Sequence, residues 1–94
     1  MIGLLTIHLC LPGCRSLKEK RSRLKPLLAR LHREYNISTA EMDLNDDWDQ
    51  AVIACSMVSS EAAHLQRSLS NVLKWLESHW PDVQVIDDQV ELIS

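Results

Sequence analysis

Four side chains able to ligate zinc, His8, Cys10, Cys14 and Cys55, fall in segments that pattern as strands or in the turn after the first strand. Their spacing, H-x-C-x-x-x-C with a distant fourth member, is not a zinc pattern, and free cysteine ordinarily behaves as a small hydrophobe. Cys14 stands beside Arg15 near a helix start, where a thiol pKa can fall, yet no histidine is placed as its base. Packing is the reading for all three thiols. Their odd number and irregular spacing also argue against a disulfide framework and agree with a reducing compartment. Asp43, Asn45, Asp47 and Asp49 imitate the first oxygen ligands of a calcium loop. Position six is Trp48 instead of glycine and position twelve is Ala54 instead of glutamate, so that geometry fails. No metal and no cofactor is expected.

Phosphate chemistry has a firmer basis. Residues 12–21 read PGCRSLKEKR, a turn followed by the opening of a basic helix. An arginine beside a helix N-terminus can hold a phosphate, much as in acylphosphatases, and a small phosphate-ester or acyl-phosphate hydrolase would need that arrangement. A phosphate-cradling turn usually has several glycines and this one has only Gly13, and no water-orienting asparagine can be placed opposite Arg15, so a non-enzymatic role is expected. What remains is charge. Residues 15–33 carry eight basic side chains and one acid, Glu19, for a net +7, while the rest of the chain sums to −10 within a total of −3. Such segregation creates a local field that steers anionic partners. Lys18, Arg21 and Lys25 lie three or four apart and form one stripe on a helix. Arg15, Lys18, Lys20, Arg21, Arg23 and Lys25 are therefore the candidate phosphate contacts, with Arg15 assisted by helix-end amides. Phe is absent, Tyr35 is the only tyrosine, and the first and third strands carry no aromatic residue, so base stacking on the sheet is not expected.

The elements that must position these residues follow from periodicity. Residues 2–11 alternate, with Leu5, Ile7, Leu9 and Leu11 on one face and Ile2, Leu4, Thr6, His8 and Cys10 on the other. Pro12 and Gly13 end the strand, and Ser16 followed by Glu19 reads as a capping box. Leu17, Leu24, Leu27, Leu28 and Leu31 recur at helical spacing, with Pro26 predicting a kink at residues 22–26. Residues 37–43 and 51–58 read as a hairpin joined by an acidic connection at 44–49, which Trp48 is expected to anchor against the core. Ser59 and Ser60 are placed to cap a second helix running to His79, with Trp75 and Trp80 flanking its end. His32, His64 and His79 fall on helical segments, where surface or capping contacts are expected. Residues 83–93 supply a fourth strand, with Asp87 and Asp88 marking a bulge or an exposed edge. The order βαββαβ with right-handed crossovers gives an α+β, ferredoxin-like two-layer sandwich with a four-stranded antiparallel sheet, one domain over residues 1–94. With helices on one side only, the other face offers Ile2, Leu4, Cys10 and apolar residues of 51–58, and a homodimer through that face is expected. No apolar run reaches the ~20 residues of a membrane helix, and no basic residue precedes the apolar start as in a secretory signal, so a cytoplasmic location is expected.

The PGCRSLKEKR string, the stretch 43–51 with its Trp48, and Ser59 opening the second helix together resemble the YlxP-like family of small bacterial proteins. The resemblance spans nearly the whole chain, and Pro26 departs from the pattern. It implies a ferredoxin-like fold and a domain of unknown function, with no catalytic residues to carry over. Genes of such proteins lie, in many bacteria, among transcription-termination, translation-initiation and ribosome-maturation factors, which implies RNA or ribosomal particles as partners. The expectation is an RNA- or ribosome-associated factor acting through its basic first helix. The alternative is a homodimeric module that binds an acidic protein.

Overall fold

The computed structural model describes residues 1–44 and 46–94. Its elements are β1 (Ile2–Cys10), α1 (Leu17–Tyr35), β2 (Ser38–Asp43), β3 (Gln50–Val58), α2 (Ala62–His79) and β4 (Gln84–Ile93). All pairings are antiparallel and the sheet runs β2-β3-β1-β4, the ferredoxin-like α+β arrangement. Strand alternation sets the layers. Leu5, Ile7 and Leu9 of β1 and Ala51, Ile53 and Cys55 of β3 have no exposed surface. Leu24, Leu27 and Leu31 of α1 and Leu69, Val72 and Leu76 of α2 join them in the core. Helix α1 lies over β2, and α2 over β1 and β4. At Gly3 an added Cβ would stand 2.9 Å from Leu69 Cδ1, so the missing side chain is what lets α2 approach β1.

The ends of α1 follow local chemistry. Ser16 is the N-cap, and its Oγ accepts from Glu19 N at 3.0 Å. The glutamate reaches one residue further back than a capping box requires, with Oε2 accepting from Arg15 N at 2.7 Å. Gly13 has φ 73°, a conformation only glycine adopts freely, and a Cβ there would meet nothing. Asn36 closes the helix at φ 51°. The helix runs unbroken through Pro26, which lies on its exposed side. An interior proline costs about 3 kcal/mol, and burial of Leu24, Leu27 and Leu31 outweighs that locally.

Three expectations need correction. Helix α2 begins at Ala62 behind an N-cap at Glu61 that has no side-chain cap bond. Ser59 instead accepts from Glu61 N at 3.2 Å, shaping the turn before the helix. Trp48 does not anchor its loop; it is 56% exposed. Lys20, expected at the surface, is 1% exposed and holds that loop instead. Its Nζ donates to Leu44 O at 2.7 Å and Asp47 O at 2.8 Å, and pairs with Glu41 Oε2 at 2.8 Å. Leu44 stands at φ 59°, an uncommon value for a side chain of its size, and the bond to its carbonyl keeps the turn there. On β4, the irregularity opposite His8 and Leu9 falls beside Asp87, at the free edge of the sheet, as the paired aspartates implied. Asn45 of the calcium-like series lies outside the described residues.

Lys20→Met strands a buried glutamate oxygen that has no other partner among the described residues and removes the ammonium from two carbonyls, of which Leu44 O keeps its bond from Asp47 N. Removing one member of such a pair costs about 3–5 kcal/mol, and denaturant unfolding of Lys20→Met is expected to show a loss of that order. The double variant Lys20→Met/Glu41→Leu is expected to recover part of it.

Candidate nucleic-acid interface

Helix α1 presents its basic residues in two groups. Arg15, Lys18, Arg21 and Lys25 are exposed, and none has a side-chain hydrogen bond or ion pair among the described residues. Lys18, Arg21 and Lys25 line one side of α1 over about 10 Å of helix rise, and Arg15 precedes them at the N-terminal turn. Arg33, two turns beyond Lys25, is also exposed, has no side-chain partner among the described residues, and extends the charge along the helix. Its eight-residue separation from Lys25 was the available signal in the sequence.

The other group is structural. Lys20 points into the α1–β2 seam, and as a buried ion-pair partner it cannot reach a phosphate. Arg23 is clamped: Nε donates to Asp82 Oδ2 at 2.8 Å, Nη1 to Pro12 O at 2.9 Å, and Nη2 to Asp82 O at 2.6 Å. Its guanidinium ties the turn after β1 to the approach into β4, and the Asp82 carboxylate raises its pKa further. These two side chains leave the set of six expected phosphate contacts, because their donors are spent on the fold. Arg30 pairs with Glu34 at 3.0 Å and lies over the Trp75 ring, 5.5 Å from its centroid.

The helix N-terminus is also largely committed. The Arg15 amide donates to Glu19 Oε2, so the protein's own carboxylate occupies the place where an anion would accept that N–H. That bond, followed by a contact from the Cys14 thiol, holds the Glu19 pKa down. Cys14 is buried, and desolvation followed by the Glu19 contact pushes its thiol pKa up, the reverse of a poised nucleophile. Burial alone pushes Cys55 up to about 12. The four possible zinc ligands are divided by the sheet. His8 and Cys10 face its open side, where His8 Nε2 meets Gln50 Oε1 at 2.9 Å, while Cys55 faces the helices. Among the described residues no three His, Cys, Asp or Glu side chains are grouped to hold a metal ion. No helix among them is long and apolar enough to cross a membrane.

A family model described as a protein of unknown function (DUF503) matches residues 2–90. The chain is 31% identical over 84 residues to the uncharacterized protein YlxP of Bacillus subtilis (strain 168), an alignment covering 89% of this chain and 90% of that relative.

A depressed Glu19 pKa contributes stability that is fully present above the ~4.3 of a free glutamate and is lost as pH falls through the lower folded value. Thermal melts of wild type and Glu19→Gln are therefore expected to differ at pH 7 and to converge as the pH is taken below 4.

Proposed function

We propose that this chain, which belongs to the family of proteins of unknown function DUF503, is a non-enzymatic factor that associates with RNA or ribosomal particles through the exposed side of α1. The observation that carries this reading is the set of unpartnered cations, Arg15, Lys18, Arg21 and Lys25, on a chain whose remainder is strongly acidic. A cation with no internal partner contributes little to folding, and several aligned along one helix track a phosphate backbone by releasing its counterions. Contacts of this kind position an RNA without reading its sequence. Four such contacts to a single strand give a slope of about −3 for log affinity against log salt. The gene surroundings common in the YlxP-like family support an RNA partner over an acidic protein.

A second contact has its own observation. Among the described residues no element covers the sheet face opposite the helices, and Ile2, Val58 and Ile93, adjacent across β3, β1 and β4, are 42%, 74% and 42% exposed. Paired copies would cover this patch and leave α1 free on each. Light scattering is expected to give a dimer mass for wild type and a monomer mass for folded Val58→Glu; a monomeric wild type rejects this contact.

Co-sedimentation of the protein with ribosomal particles across a salt series, with and without nuclease, tests the main reading. Wild type is expected to travel with the particles at low salt and to be released by salt or nuclease. Lys18→Glu/Arg21→Glu/Lys25→Glu, checked for unchanged circular dichroism, is expected to stay at the top of the gradient. The Gln versions of the same three positions serve if charge reversal disturbs the fold. Wild type that stays at the top at every salt concentration rejects RNA association.

A further inference from the structure

A surface that only tracks phosphates has no need of an apolar slot, yet one lies beside the cation stripe, against Arg21 and Lys25. At the seam between α1 and the edge strand β2, a depression of about 250 Å³ is lined by Arg21, Leu24, Lys25, Leu28 and Glu41. Half-buried Leu28 supplies most of its apolar lining, with Leu24 almost wholly buried behind it, and the exposed Arg21 and Lys25, one helical turn apart, line its α1 side. A bond from Thr39 Oγ1 to Leu28 O at 3.2 Å fixes the distance between helix and strand. A second depression of about 330 Å³ adjoins it, sharing Arg21 and Glu41 and bounded by Asp46. Strand β2 is at the edge of the sheet, so its outer main-chain groups meet no neighbouring strand.

We infer that this seam takes an unstacked base of a single-stranded RNA, with Arg21 and Lys25 on the flanking phosphates and Leu24 and Leu28 beneath the base. The inference rests on the RNA reading above and narrows it to single-stranded segments. A duplex presents phosphates and sugar hydroxyls to a protein and keeps its base faces stacked, so nothing in it fills an apolar slot. An unpaired base has an apolar face for the leucines and a hydrogen-bonding edge for the outer groups of β2 and for Glu41. Glu41 has one oxygen held by Lys20, and the carboxylate is an acceptor only. It therefore favours bases with an exocyclic amino group over uracil. Asp46 on the adjoining wall repels phosphate and keeps the backbone on the Arg21–Lys25 side.

Fluorescence anisotropy with short RNAs of equal length tests this: oligo(C), oligo(A), oligo(U) and a mixed duplex, against wild type and Leu28→Gln. The expected result is single-strand binding about tenfold tighter than duplex binding, from burial of a base face on leucine, oligo(C) and oligo(A) ahead of oligo(U), and loss of most of the single-strand advantage in Leu28→Gln with duplex binding unchanged. Equal affinity for duplex and single strand overturns the base slot and leaves the phosphate stripe standing. Absence of binding to every RNA overturns both. The wild-type comparison decides the matter even if Leu28→Gln does not fold. An acidic, apolar peptide that binds in place of any RNA would assign the seam to a protein partner and reject the inference.

Discussion

A lysine ammonium removed from water must be met by oxygen atoms, and Lys20 meets that requirement with two carbonyls of the β2–β3 connection and one carboxylate of β2. These three contacts join α1, the edge strand and the loop that follows it. They hold Leu44 in a left-handed conformation, set Glu41 beneath the helix, and let Trp48 remain at the surface, since the loop needs no aromatic anchor. The position of α1 over the sheet, and with it the direction of every cation on its outer side, depends on this pair.

Arg23 does comparable work at the N-terminal end of the same helix. Its fork joins Pro12 and Asp82, two connections far apart in sequence. Apart from Arg30, which pairs with Glu34 at the surface, the basic segment thus holds two sets of cations. One, Lys20 and Arg23, is held by partners within the fold and fixes the helix; the other has no side-chain partner among the described residues and faces solvent. Net charge counts both, and only the second can act on a partner. Glu19 refines this further by giving its carboxylate to the Arg15 amide, which leaves the Arg15 guanidinium, and not that amide, as the available group.

Much of this was legible in the sequence. Alternation in β1 and β3 and the leucine spacing of both helices fixed the element order to within a few residues, because each element buries one face of a shared core. The split among the cations was not read, although a signal existed. Lys20 falls at helical spacing with Leu24, Leu27 and Leu31, on the apolar stripe, while Lys18, Arg21 and Lys25 fall off it. Counting charge without assigning faces merged the two sets. The Arg23 clamp had no such signal, since Asp82 becomes its neighbour only when the chain returns to β4. The exposure of Trp48 was equally hidden, because it depends on a lysine bonding to main-chain carbonyls. The groove at the α1–β2 seam arises from packing between elements and has no sequence pattern of its own.

In the proposed complex a single-stranded RNA meets the outer side of α1 and the seam beside it while the bonded cations stay in place. Titrating isotope-labelled protein with a short single-stranded RNA and following amide and side-chain chemical shifts by NMR is the deciding experiment. Shifts are expected to concentrate at residues 15–28, on and just before the α1 exterior, and at 38–42 of β2, with the Arg23 side-chain signals unmoved and the Lys20 ammonium still bonded. Shifts confined to the open face of β1 and β3, or none at saturating RNA, would contradict this placement.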